Sequence, residues 1–162
     1  SYTRERQVAM EAVLSACFLA KRMQGTLQAS DVVHKDDLSP VTMIDFSCQA
    51  LINLHLAKAF PKDEVMGEEE TLFLRDPHYL SIKSKVVEQI TSLFPHLNES
   101  AILGAIDQGS SLGGPNRRFW VLDPIDGTKG FIRNEQYAIA LALIENGQVV
   151  LGLLGCPRLE IK

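Results

Sequence analysis

The residues best suited to chemistry lie in one run, Trp120-Val121-Leu122-Asp123-Pro124-Ile125-Asp126-Gly127-Thr128-Lys129-Gly130-Phe131. Pro124 disfavours the α conformation at Asp123, so that carboxylate projects from the end of an extended segment. Asp126 follows after the chain has turned. The two acids can then converge on one point, with the carbonyl of Ile125 turned the same way. Carboxylates and a backbone carbonyl are hard oxygen donors, the ligand set preferred by Mg²⁺. Gly127 and Thr128 are read as opening a helical turn. Glycine lets the backbone come close to a ligand, and free N–H groups at a helix start favour an anion such as phosphate. Acids beside a phosphate repel it unless a cation lies between them, so the run makes sense as metal-bridged phosphate binding.

Two distant stretches can complete the site. Glu68 follows the short apolar segment Glu64-Val65-Met66-Gly67 and can supply another metal ligand. Asp45 can orient or deprotonate water together with the Thr128 hydroxyl. Two metals about 3.5–4 Å apart would activate water and stabilise the leaving oxygen of a phosphate ester in in-line attack.

Each of these residues also has a plainer reading. Thr42-Met43-Ile44-Asp45 fits the S/T-x-x-acid pattern of a helix start, so Asp45 can answer the helix dipole; the two roles are compatible. Glu68, Glu69 and Glu70 can form a solvated acidic loop. Asp-Pro and Asp-Gly both favour turns. Lys129 reads equally well as a phosphate contact or a surface lysine. His34, His55, His78 and His96 show no ligand spacing. Phe119 and Trp120 read as core.

The elements that must position these groups follow from periodicity. Val8, Ala12, Ala16, Leu19 and Met23 fall on one face of a first helix, closed by Gly25. Residues 26–40 read as a loop. A second helix spans about Thr42 to Phe60, with Ile44, Cys48, Leu51, Ile52 and Ala59 as its core stripe and Pro61 as its stop. Glu64–Gly67 reads as a short strand and residues 71–80 as irregular. Ile82, Val86, Ile90 and Leu93 predict a third helix before Pro95, and Ile102–Ile106 a weaker one. Gly109, Gly113, Gly114, Pro115 and Asn116 form a turn-rich link. Phe119–Leu122 reads as a strand that delivers Asp123 to its end. Tyr137–Ile144 and Gln148–Leu154 read as strands joined by Asn146-Gly147, a strong hairpin signal. Helices first and antiparallel strands later imply an α+β fold, with helices layered on a mainly antiparallel sheet.

The 162 residues, 46% hydrophobic and 22% charged, fit a single globular domain. A domain of this size buries roughly 68–70% of the surface its unfolded chain exposes. The net charge of −4 argues against general attraction to nucleic acid or an anionic membrane. No apolar run approaches the about 20 residues of a bilayer span. Cys17, Cys48 and Cys156 are odd in number, lack metal spacing and sit among apolar neighbours. They read as buried free thiols in a reducing compartment, with the cytoplasm as the default location.

Asp123-Pro124-Ile125-Asp126-Gly127-Thr128, with Gly67-Glu68-Glu69 upstream, resembles the lithium-sensitive, magnesium-dependent phosphatases. That superfamily includes inositol monophosphatase, fructose-1,6-bisphosphatase and the 3′(2′),5′-bisphosphate nucleotidases. Ser39-Pro40-Val41-Thr42, Gly113-Gly114-Pro115-Asn116 and Thr128-Lys129-Gly130-Phe131 favour the nucleotidase branch. Inositol monophosphatases usually carry Asn where this chain has Gly130. The resemblance implies the sugar-phosphatase fold and removal of the 3′-phosphate from 3′-phosphoadenosine 5′-phosphate to give AMP. It implies similar action on 3′-phosphoadenylyl sulfate.

It carries over Glu68, Asp123, the Ile125 carbonyl and Asp126 as Mg²⁺ ligands, with two or more ions in the complete enzyme. It carries over Asp45 and Thr128 as the water-activating pair, and Gly127 and Thr128 as phosphate contacts. Inhibition by Li⁺ or Na⁺ and a link between sulfur assimilation and salt tolerance are implied as well.

Members of that superfamily are about twice this length, so residues 1–162 resemble an amino-terminal metal- and phosphate-binding domain without its carboxy-terminal partner. An inositol phosphatase, including the polyphosphate 1-phosphatase type, is the nearest rival, and a non-catalytic metal- or phosphate-binding module is a rival of another class. Haloacid-dehalogenase chemistry is excluded because it needs an Asp-x-Asp pair, and Asp123 and Asp126 are one residue further apart. The 162-residue chain alone is expected to bind Mg²⁺ weakly and hydrolyse little or nothing. A robust Mg²⁺-dependent phosphatase rate from the purified chain would contradict this.

Overall fold

The computed structural model describes residues 1–34 and 40–160. Helix α1 (Thr3–Gln24) ends against Gly25, as its periodicity predicts, and buries Ala9, Ala12, Val13, Ala16, Leu19 and Ala20. These mostly small side chains let it lie close to α2 (Met43–Ala59). Helix α2 departs from the expected one-sided stripe. Every residue from Met43 to Asn53 is buried, whereas Ala59 is only partly so. The cause is position: α1 and the sheet lie on one side of α2, and α4 (Leu80–Leu93) and α5 (Glu99–Asp107) pack on the other.

The main sheet has the order β3 (Glu64–Gly67), β4 (Arg118–Asp126), β5 (Ala138–Glu145), β6 (Gln148–Gly155). The pair β3–β4 is parallel; β4–β5 and β5–β6 are antiparallel, which is the mainly antiparallel sheet expected. Asn146 and Gly147 take φ of 51° and 75°. Two positive values make the type I′ turn whose twist suits a two-residue hairpin. Ile139, Leu141 and Leu143 alternate into the core beneath α1 and α2. Val121, Ala140, Ala142, Gly152 and Leu154 line a shallow apolar trough, and Leu154 is 71% exposed.

Several expectations are corrected. Residues 26–40 are not simply a loop: a 3-10 turn at Ala29–Asp31 leads into β1 (Val32–His34), which pairs antiparallel with β2 (Pro40–Thr42). Ser39 lies outside the described residues. Strands this short carry too few residues for alternation to register. Residues 71–80 contain α3 (Leu72–Arg75) and a 3-10 turn at Pro77–Tyr79. A tertiary contact holds α3: Asp107 accepts hydrogen bonds from the Thr71 backbone N–H (3.0 Å), the Thr71 hydroxyl (2.7 Å) and Arg75 (2.8 Å). In α4, Ile82, Val86 and Ile90 are buried but Leu93 is exposed. Strand β4 runs past Leu122 to Asp126. All three cysteines are free; only Cys48 is buried, and Cys17 and Cys156 are part-exposed.

One polar cluster ties the helical layer to the base of β4. Arg118 donates to both oxygens of Asp63 (3.0 and 3.0 Å) and to Glu5 of α1 (3.1 Å). The fully buried Trp120 donates its indole N–H to Asp63 Oδ2 (3.1 Å). Asp63→Ala strands that indole N–H and should cost about 1–3 kcal/mol, read as a lower urea midpoint. Asp63→Asn, which keeps an acceptor, should cost less. Equal losses would show that Trp120 does not depend on this bond.

Candidate active site

The register of the parallel pair brings the first two acids together. Glu64 faces Phe119, and the pairing runs on to Gly67 opposite Leu122. The next residues, Glu68 and Asp123, therefore leave the pair side by side, and their carboxyls share a hydrogen bond. Beyond Asp123, which pairs with Ala140, the register of β4 shifts so that Asp126 pairs with Ala138. That bulge fits one extra residue into β4. It turns Asp126 to the surface while Pro124 and Ile125 stay buried. Gly127 then takes φ 84°, a left-handed conformation that suits glycine, and caps the five-residue helix α6 (Thr128–Ile132). Gln24 of α1 steadies this corner from behind, donating to the carbonyls of Phe131 (3.1 Å) and Glu135 (3.3 Å).

Asp45 performs its capping role and faces the site at once. Its Oδ2 accepts from the Thr42 backbone N–H (2.7 Å) and hydroxyl (2.6 Å), while the Thr42 hydroxyl accepts from the Ile44 N–H (3.1 Å). Its Oδ1 faces the Thr128 hydroxyl at 3.1 Å, and that hydroxyl also lies 3.0 Å from the Ile125 carbonyl. Thr128 has a single hydrogen to donate, so it serves one of these acceptors at a time.

The acids are electrostatically crowded. Burial pushes the Asp45 carboxyl up to about 6, against the pull of its Thr42 and Thr128 hydrogen bonds and with the charge of Glu68 adding to the rise. Asp123 is pushed up to about 8, first by burial, then by its hydrogen bond to Glu68 and the charges of Glu68, Asp126 and Asp45. Asp123 Oδ1 is buried without a hydrogen-bond partner.

An orphaned carboxylate oxygen beside a second acid, with hard oxygen donors around it, fits a divalent cation. Among the described residues, no three His, Cys, Asp or Glu side chains stand close enough to hold an ion as they are. The acids form one tight pair, Glu68–Asp123, with Asp126 and Asp45 near enough to act through charge.

The structure thus brings Glu68, Asp126 and Asp45 within electrostatic reach of Asp123, and sets Asp45 and the Ile125 carbonyl against the Thr128 hydroxyl. Lys129 is exposed beside them. Of the histidines whose side chains are described, His55 and His96 meet Phe94 edge to face and His78 meets Tyr79 in the same way. Sequence reasoning missed Gln49 and Asn53, which lie one and two helical turns beyond Asp45 and are fully buried. The spacing of four between Asp45, Gln49 and Asn53 inside an apolar helix was the available signal.

The chain matches the inositol monophosphatase family over residues 2–161. It is 46% identical to the 3′(2′),5′-bisphosphate nucleotidase of Emericella nidulans, an alignment covering 99% of this chain and 48% of that protein. It is 44% identical to the Schizosaccharomyces pombe protein of the same name, covering 98% and 48%. The 3′(2′),5′-bisphosphate nucleotidase 1 of Arabidopsis thaliana is 42% identical, covering 99% and 48%. The chain therefore spans about half the length of these relatives. Among solved structures, Thermotoga maritima IMPase superposes with a TM-score of 0.64 at 22% identity, covering 96% of this chain and 45% of that one. The suppressor protein SuhB of Bartonella henselae gives 0.65 at 20%, covering 96% and 46%. These two share the fold.

The raised carboxyls set the sign of a pH dependence. Asp123 and Asp45 bind a proton more tightly in the folded chain than in the unfolded one, so stability falls as pH rises from about 4 to about 8. In chelator, the melting temperature should be higher at pH 5 than at pH 8.5, and Asp123→Asn should flatten the slope. A melting temperature that rises across this range, or a slope unchanged by Asp123→Asn, would show that the acids are not crowded.

Proposed function

The chain belongs to the inositol monophosphatase family, and on that premise we propose that it is the metal- and phosphate-binding domain of a 3′(2′),5′-bisphosphate nucleotidase. The substrate proposed is 3′-phosphoadenosine 5′-phosphate, cleaved by water to AMP and inorganic phosphate, with 3′-phosphoadenylyl sulfate cleaved likewise to adenylyl sulfate. The observation that carries this reading is the Glu68–Asp123 pair with its orphaned oxygen, set beside the part-buried Asp45–Thr128 contact. The names of the relatives favour a nucleotide over an inositol phosphate.

In this reading Glu68, Asp123, the Ile125 carbonyl and Asp126 hold Mg²⁺. When bound, the ion neutralises the acids, offsets the charge of the ester and makes water easier to ionise. The remaining work belongs to the chain. Thr128, donating to Asp45, keeps its lone pairs free to accept from a water; as it takes a proton from that water it passes its own to Asp45. A carboxyl near 6 is suited to receive a proton close to neutrality. The backbone N–H groups of Gly127 and Thr128 face the phosphate, and the missing side chain at Gly127 lets it approach. Li⁺ and Na⁺ are proposed as inhibitors of this site.

A second domain is part of the proposal. Asp123 lies on the trough formed by Val121, Ala140, Ala142, Gly152 and Leu154. An apolar sheet face left in water is unfavourable by about 25 cal/mol per Å². The layer that covers it would also wall the acid cluster, which agrees with a chain spanning about half of its relatives.

The test is phosphate release by this chain completed with the portion of the Emericella nidulans relative that it does not span. Mg²⁺-dependent release from 3′-phosphoadenosine 5′-phosphate should exceed release from inositol 1-phosphate. Asp45→Asn and Thr128→Ala should each lower kcat about 10²–10⁴-fold with a smaller change in KM. Preference for the inositol phosphate would replace the nucleotidase reading. Binding of Mg²⁺ and nucleotide without turnover would make the protein a regulatory module.

A further inference from the structure

We propose that Gln49 is the positioning residue of the acid cluster: its buried amide fixes the backbone at Glu68–Glu69 to α2 and so holds Glu68 against Asp123. The inference rests on the metal-site reading above. Gln49 is fully buried, where an amide is costly unless it is bonded. It is bonded on both sides. Its Nε2 donates to the carbonyls of Glu69 (2.6 Å) and Ile106 (2.9 Å), and its Oε1 accepts from the Glu69 N–H (3.0 Å). Both backbone groups of Glu69 are thereby held by one side chain.

The segment before Glu68 is built around that amide. A Cβ at Gly67 would stand 2.6 Å from Gln49 Oε1, and one at Gly109 would stand 2.7 Å from Gln49 Nε2. The two glycines close on the amide from either side, and the Gly67 N–H donates to the Gly109 carbonyl at 2.7 Å. Gln49 lies one turn along α2 from Asp45, a rise of about 5.4 Å. One helix therefore sets Asp45 opposite Thr128 and, a turn later, the Glu68 loop opposite Asp123.

Asn53 supplies the control. It is equally buried, one further turn along, and donates to the Ala105 carbonyl at 2.8 Å, next to the Ile106 that Gln49 binds. It holds α5 and makes no hydrogen bond to Glu68 or Glu69 among those described. A purely structural role for Gln49 predicts that Gln49→Leu and Asn53→Leu behave alike.

The experiment uses the 162-residue chain and Mn²⁺, followed by the electron paramagnetic resonance of the free ion, together with amide hydrogen exchange. Gln49→Leu should weaken Mn²⁺ binding about 10–100-fold, as loss of an outer-shell partner does. Asn53→Leu should leave it within about twofold while lowering the melting temperature as much. Exchange of the amides at Gly67–Glu70 should quicken about tenfold in Gln49→Leu alone. If Gln49→Leu fails to fold, Gln49→Met, unbranched and flexible, is measured in the same way. Unchanged Mn²⁺ binding in the Gln49 variant, or equal weakening in both variants, overturns the inference. If the unsubstituted chain binds no Mn²⁺, the metal-site reading fails, and the exchange data alone decide whether Gln49 orders the loop.

Discussion

Like charges do not gather unaided, and the end of this sheet is arranged around that fact. Two carboxylates about 4 Å apart repel by about 4 kcal/mol at an effective dielectric of 20. Glu68, Asp123, Asp126 and Asp45 nevertheless act on one another, and Asp123 answers by holding its proton up to about 8. The acids are placed by backbone features that do not depend on their charges. Glu68 and Asp123 follow from the parallel register, Asp126 from the bulge, and Asp45 from a helix cap. The cluster cannot relax by moving one side chain, so relief must come from a proton or a cation. A chain selected only for stability would scatter these acids; fixing them by three separate backbone constraints keeps the site open to a positive ion.

Helix α2 is the member against which those constraints are measured. It touches the sheet, α1, α4 and α5, and so from Met43 to Asn53 it turns no polar face to water. Its polar residues point inward instead, each fastening a different segment: Asp45 the α6 corner, Gln49 the Glu68 loop, Asn53 the end of α5. An apolar side chain at Gln49 or Asn53 would suit the helix but leave a partner's backbone group unbonded, and one at Asp45 would remove the cap as well. Buried polar side chains of this kind favour one arrangement over its neighbours more than they favour the folded state as a whole.

The sequence disclosed the parts of this arrangement that are local. Asn146-Gly147 specifies its turn because two adjacent residues must take positive φ, and few others do so readily. The Asp123–Thr128 run is legible because proline, glycine and acids in that order restrict the backbone and supply donors together. Thr42 and Asp45 announced a capping box, and the structure adds that the same carboxylate has a second oxygen left for Thr128. What stayed hidden is tertiary. The burial of α2 on all sides, the single turn of α3 under Asp107 and the strands β1 and β2 have no periodic signature of their own. Gln49 was overlooked for the same reason: a glutamine in a helix reads as a solvent-facing residue until the elements on its far side are known.

The position of the cluster also separates two things that the sequence joins. Every acid proposed for the chemistry comes from this chain, and Asp123, on which their charges meet, lines the sheet face that carries the apolar trough. Among the described residues the opposite face is packed against α1 and α2, so on the proposed reading the ester enters from the side of the trough. On the proposed reading, whatever layer covers Val121, Ala140 and Leu154 also forms the wall against which the rest of the substrate lies. Hydrolysis would then be set by the acids and Thr128, while discrimination between a nucleotide and an inositol ring would be set by that wall. This is why the acids alone point to a phosphatase without naming its substrate, and why relatives of one fold can share the metal chemistry and differ in what they cleave.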